Sequence, residues 1–448
     1  PRANASMQRG IGLTSARPNV DNAGDRSAPA SEGRPMSNHR ANVLEHCHPP
    51  LDVPFDREEY RDRLAKIRAR MAAAEIDVLY LTAPESLFYV SGYTCEWYQA
   101  QSPKSWPATS GIAVHRDRDD FILFDTPSEQ VMVRFVTIAE DIRIFPIDDR
   151  RDGIGFIIDE LTAAGWLGGT VGLELHSYRP NPAISQRFQS AFESAGCAVA
   201  DGSDVLRDVR WVKSAQEMAY IERAGHITDI GLAAARDAIR PGVTELEVYG
   251  EMIRAMAKAG GENPSITLPV LSGPRANCGH ALAGRRVIGP GEQVNVDVCG
   301  VYNRYHCNAA RSFYVGEPPR EVLEFYEQAA GAMDLLEGLI RPNLRVGDLV
   351  KTLKAYYEDQ GIWDSASWVG GYELGIGFPP DWVGNFVYEM GHEDSNVQFE
   401  PGTAVNFESV FYAPRMSGLT YLIETLLFRS DSAEIASRMP RGLHVISI

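Results

Sequence analysis

The chain has 448 residues, of which 44% are hydrophobic, 9% aromatic and 23% charged, so it can bury a core large enough for two domains and is neither fibrous nor wholly disordered. Its 43 Lys and Arg against 60 Asp and Glu give a formal charge of −17, which repels phosphate backbones and anionic lipid, so no nucleic acid and no membrane is expected as a partner. No apolar run approaches the ~18 residues that span a bilayer, no export signal is visible, and six cysteines (Cys47, Cys95, Cys197, Cys278, Cys299, Cys307) form no CxxC pair, so the expectation is a reduced, cytoplasmic protein.

Residues 1–50 contain hardly a large apolar side chain and predict a disordered or extended tail. From residue 56 the steps of Tyr60, Leu64, Ile67 and Met71 predict an amphipathic helix. Strand-like runs follow at 76–82, 87–90, 111–115, 121–124 and 142–147, then a helix near 153–164 and a strand at 170–175. This pattern predicts a mixed α/β domain over 51–210. A long helix over 214–238 opens a second domain, 211–448, and Pro241-Gly242 breaks it from the next helix.

The second domain holds the polar residues that alternation sets on strand faces. In EQVNVDVCG the valines alternate with Asn295, Asp297 and Cys299, so Asp297 points away from the core. In AVNFESVF, Val405 and Phe407 alternate with Asn406 and Glu408, and YLIETLLF carries Glu424 in an otherwise apolar strand. A buried carboxylate is costly unless a cation meets it, so these acids predict a site.

Five segments in fixed order, SGPRANCGHALAGRRVIGPGE, VNVDVCGVYNRYHCNAARSF, GGYELGIGF, FEPGTAVNFESVFY and LIETLLF, resemble the pita-bread superfamily of methionine aminopeptidases, Xaa-Pro peptidases and creatinases. The stretch LRDVRWVKSAQEMAYIERAGHITDIG is similar to the interdomain signature of its prolidase and creatinase branch, and GYELGIGFPPDW resembles the ectoine-hydrolase subgroup. The resemblance implies an N-terminal creatinase-like domain, α/β, followed by an α+β pita-bread catalytic domain. Metal-dependent members hold two divalent ions with two Asp, one His and two Glu. Carried over by position, these fall on Asp297, Asn308, Tyr372, Glu408 and Glu424. An amide is a weak ligand and a Tyr must first lose a proton with a pKa near ~10, so neither metal nor another cofactor is expected.

The resemblance then implies a metal-independent hydrolase that cleaves a carbon–nitrogen bond in a small cationic or zwitterionic amidine or guanidine, ectoine-like or creatine-like. His280 is the implied general acid/base, Glu408 and Glu424 hold the cation, and Tyr372 donates to the developing tetrahedral centre. Asp297 either orients the substrate or attacks it as a nucleophile. Asn308 and Asp381 complete the expected substrate site, and the resemblance implies a homodimer in which a loop carrying Trp97, Tyr98, Lys104 and Trp106 closes the partner's site. Two rivals stand beside this reading: a metal-dependent Xaa-Pro aminopeptidase with an altered centre, and a non-catalytic pita-bread binding protein.

Overall fold

The computed structural model describes residues 38–48, 50–95, 107–146 and 153–448. Within the stretch expected to be a tail, Asn38–His46 is a helix, α1, because that segment holds no proline or glycine to break it. It belongs to a unit that ends at Cys47, and everything below belongs to the unit His48–Ile448.

Helix α2 (Arg57–Ala73) starts where the Asp56 side chain accepts the Glu59 amide, and it buries Tyr60, Leu64, Ile67 and Met71 as their spacing predicts. The strands β1 (Val78–Leu81), β2 (Gly111–His115), β3 (Phe121–Asp125), β4 (Asp141–Ile144), β5 (Thr170–Leu173) and β6 (Ala198–Asp201) form a mixed sheet in the order β4-β3-β2-β1-β5-β6. Residues 87–90, read from sequence as a strand, lie instead in helix α3 (Pro84–Ser91), which Pro84 starts and left-handed Gly92 (φ 81°) ends. Leu87 to Ser91 are all buried, so no polar face was left to show a helical period. Helices α4 (Gly153–Ala163) and α5 (Pro182–Ser194) complete this domain, and α6 (Ser203–Trp211) carries the chain toward the second.

Helix α7 (Ala215–Ala238) opens with a reciprocal capping box between Ser214 and Glu217, and α8 (Glu245–Lys258) with one between Thr244 and Glu247. Glu217 also accepts from the Tyr305 hydroxyl at 2.7 Å and pairs with Arg63 of α2 at 3.5 Å, so one buried network joins the two domains. The remaining strands are β7 (Val270–Ser272), β8 (Gln293–Tyr302), β9 (Tyr305–Val315), β10 (Leu344–Arg345), β11 (Ala366–Tyr372), β12 (Val387–Glu389), β13 (Gln398–Phe399), β14 (Ala404–Phe411), β15 (Leu422–Phe428), β16 (Ala433–Ile435) and β17 (His444–Ile446). All but the β10–β13 pair build one sheet, ordered β12-β11-β14-β15-β9-β8-β7, with β16 on β15 and β17 on β9. Helices α9 (Arg320–Leu339) and α10 (Val346–Asp359) pack their apolar sides with Val405, Phe407 and Leu426. Val405 and Phe407 therefore face those helices, and Asn406 and Glu408 the opposite side of the sheet.

Candidate active site

Residues paired across an antiparallel sheet share a face, so the registers of β8, β9, β15 and β14 fix what lies beside what. Asp297 pairs with Ala310, Ala310 with Ile423, and Ile423 with Glu408. One transverse row thus runs Asp297, Ala310, Ile423, Glu408, with a carboxyl at each end and two apolar residues between. The parallel row holds Cys299, Asn308, Thr425 and Asn406.

The polar residues of these rows are joined. Asn308 donates to Asp297 Oδ1 at 2.6 Å, Asn406 donates to Asn308 Oδ1 at 3.3 Å and to Glu408 Oε1 at 2.8 Å, and the Tyr372 amide donates to Asn406 Oδ1 at 2.7 Å. The Tyr372 hydroxyl accepts from Trp382 Nε1 at 3.1 Å. Strand β11 is anchored next door, where Glu373 meets Lys213 at 2.6 Å in a buried ion pair. Asp297 is buried and Glu408 keeps a partial opening to solvent.

Electrostatics follow from that placement. Burial pushes the Asp297 carboxyl up to about 7, against the lowering hydrogen bond from Asn308. Burial, and then the charge of Asp297, push Glu408 up to about 8, against hydrogen bonds from Tyr372 and Asn406. Near neutrality Glu408 is therefore mostly protonated and Asp297 about half so.

The structure brings Asp297, Asn308, Tyr372 and Glu408 together. His280 is exposed on the turn after Gly279, whose carbonyl accepts from the hydroxyl of Tyr421, two residues before Ile423 on the same face. Burial, and then the charges of Asp297 and Glu408, raise the Tyr421 hydroxyl. Trp97, Tyr98, Lys104 and Trp106 lie outside the described residues.

Two expectations need correction. Glu424 pairs in register with Phe407, on the face opposite Glu408, and its carboxylate is fully buried against Arg311 at 2.6 Å and Arg441 at 3.3 Å. It is an internal ion-pair partner, and Ile423 occupies the place it was expected to fill. Asp381 accepts the Val383 amide at 3.0 Å and closes its own turn, while the next residue, Trp382, reaches Tyr372. The sequence reading also missed Asn406 and Tyr421 as site residues. Asn406 was visible two positions before Glu408, but Tyr421 immediately precedes a strand apolar on both faces, where alternation has no phase.

His306, also on β9, is buried, bonded to Ser265 Oγ at 2.9 Å and the Arg304 carbonyl at 2.9 Å, and driven down to about 3 chiefly by burial; it is a neutral structural residue. A two-metal centre does not fit the donors present, since the five places a ligand set would fill hold the carboxyls of Asp297 and Glu408, the amide of Asn308, the phenol of Tyr372 and the apolar Ile423. Among the described residues no group of three or more His, Cys, Asp or Glu is placed to hold a metal ion.

Residues 63–212 match the Creatinase/Prolidase N-terminal domain and residues 219–429 match metallopeptidase family M24. Among curated proteins, an ectoine hydrolase of Halomonas elongata is 26% identical over 424 residues, covering 88% of this chain and 99% of that protein. A Xaa-Pro dipeptidase of Pyrococcus furiosus is 26% identical over 386 residues, with 86% and 99% covered. An X-Pro aminopeptidase structure from Thermotoga maritima superposes with a TM-score of 0.71 at 20% identity, covering 86% of this chain and 99% of that one, which shows the shared fold.

Proposed function

Because this chain belongs to the creatinase and prolidase branch of the pita-bread superfamily, we propose that it is a metal-independent hydrolase of a small amidinium or guanidinium compound. The observation that carries the reading is the pair Asp297 and Glu408, two carboxyls raised to about 7 and about 8 at the ends of one row, neither of them in an ion pair among the described residues. Glu424 shows the contrast, since its charge is met by Arg311 and Arg441.

In this mechanism the substrate cation takes the place of the missing positive charge, and each carboxyl accepts an N–H through a charge-assisted hydrogen bond. Water adds to the central carbon, and His280 on its exposed turn takes the water proton and delivers it to the departing nitrogen. The carbon–nitrogen bond breaks, leaving a carbonyl on one fragment and an amine on the other. Tyr372 donates to the tetrahedral centre. Asp297 orients the cation or attacks it, and both roles need its carboxylate ionised.

The rival reading, a metal-dependent Xaa-Pro peptidase, draws support from the dipeptidase relative and is opposed by the donor set. The test is to dialyse the protein against chelator and offer amidines, guanidines and Xaa-Pro dipeptides in parallel, following products by mass spectrometry. Hydrolysis of a cationic compound without metal supports the proposal; dipeptide cleavage that returns only with a stoichiometric divalent ion defeats it.

A further inference from the structure

The loop 273–284, between β7 and β8, carries His280 and has almost no core of its own, since Ala276 is its one buried side chain. A segment with so few apolar contacts takes its shape from polar bonds. Glu245, the first residue of helix α8, is fully buried and accepts four of them. Its Oε1 accepts from the Ser272 amide at 2.9 Å, Ser272 Oγ at 2.8 Å and Arg275 Nε at 3.2 Å, all at the entry to the loop. Its Oε2 accepts from the Gly284 amide at 2.8 Å, at the exit. The Leu246 amide donates to the Gly284 carbonyl at 3.1 Å, and Arg275 reaches on to the Leu282 carbonyl. The helix does not need the Glu245 side chain for itself, because the capping box of Thr244 and Glu247 already serves its first turn. At the tip the Tyr421 hydroxyl donates to the Gly279 carbonyl, so the turn that holds His280 is laid on the site face of the sheet.

We propose that Glu245 is a positioning residue: by tying the two ends of the loop 273–284 together it holds His280 over the row that runs from Asp297 to Glu408. The inference rests on the function proposed above, in which His280 moves protons, and adds the device that keeps it in place. A glutamine at 245 keeps the shape of the side chain and loses half of its acceptors. Its oxygen serves one end of the loop, and its NH₂ group then meets the N–H groups of the other end, donor against donor. The loop opens at that end and His280 leaves hydrogen-bond reach of the reacting atoms for part of the time, so proton transfer slows. The carboxyls stand on strands that this change does not touch, so the cation still binds.

The test joins amide hydrogen exchange to a double-mutant cycle, both on metal-free protein with a cyclic amidine as substrate. Folded Glu245→Gln is expected to exchange the amides of residues 276–284 at least about 10-fold faster than native protein, with those of β8 and β14 unchanged. Its kcat is expected to fall by roughly 10-fold to 100-fold while KM stays within about 2-fold. In a His280→Ala background the same substitution is expected to cost no more than about 2-fold, because the residue it positions is gone; a merely structural role would cost as much as before. Arg275→Ala removes a partly exposed guanidinium from the same knot, is expected to show the same pattern at smaller size, and decides the matter should Glu245→Gln fail to fold. Losses that add in the double variant, or loop exchange that stays native in both single variants, overturn this inference and leave the hydrolase reading standing. If the native protein hydrolyses no amidine, both fall together.

Discussion

Glu408 and Ile423 are register partners across β14 and β15, and that single pairing decides which acid serves the site and which serves the core. It turns Glu424 to the far face, where Arg311 reaches it at 2.6 Å with both side chains fully buried. Glu424 Oε1 accepts from Arg311, while Oε2 has no hydrogen-bond partner among the described residues. Removing one partner of a buried ion pair strands the other, at a cost of about 3–5 kcal/mol. Glu424→Ala is therefore expected to lower unfolding free energy by that amount, measured by denaturant titration, while the folded fraction keeps its affinity for a cationic ligand. A selective loss of affinity without destabilisation would return Glu424 to the site.

The raised carboxyls make stability depend on pH in a direction opposite to that of an ordinary surface acid. In the unfolded chain both ionise near ~4; in the folded protein they do so at about 7 for Asp297 and about 8 for Glu408. A group whose folded pKa is raised contributes its full stability below the unfolded value and loses it as pH climbs through the folded one. Ligand-free protein is thus expected to lose Tm steadily between about pH 4 and pH 8, and Asp297→Asn with Glu408→Gln to flatten that slope. Thermal melts at closely spaced pH values measure it, and an unchanged slope in the double variant would place the titrating groups elsewhere.

How much of this was legible in the sequence depends on whether a strand had two different faces. In β8 and β14 valine and phenylalanine alternate with polar residues, so the inward placement of Asp297, Asn406 and Glu408 could be read from the period of two. In β15 every residue from Leu422 to Phe428 is buried, both faces are mostly apolar, and the period has no phase; only pairing with β14 and β9 distinguishes Ile423 from Glu424. Helix α3 was misread for the same reason, being wrapped by core on nearly all sides. Asp381 and Trp382 differ by a turn geometry that composition cannot reveal.

His280→Ala is expected to lower turnover on the order of 10² to 10⁴ fold while leaving cation binding nearly unchanged, because an exposed imidazole moves protons and does not hold the substrate. Near-native turnover would remove His280 from the mechanism.

Tyr372→Phe deletes the hydroxyl that accepts from Trp382 and helps keep Glu408 from rising further. Loss of a donor aimed at a developing oxyanion costs on the order of 10² to 10³ in kcat with a smaller change in KM. Steady-state kinetics on the expected cationic substrate check this, and an effect confined to KM would make Tyr372 a binding residue only.

The central claim, that Asp297 and Glu408 receive a cation in place of a metal, is tested most directly by counting protons. A non-hydrolysable amidinium is titrated calorimetrically into metal-free protein at pH 7, in buffers of different ionisation enthalpy. Carboxyls at about 7 and about 8 carry protons there, and binding a cation between them must release on the order of one proton per ligand. The account predicts that release in the native protein and its loss, together with most of the affinity, when Asp297→Asn and Glu408→Gln are combined. Tight binding without proton release, or binding that survives in the double variant, would contradict it.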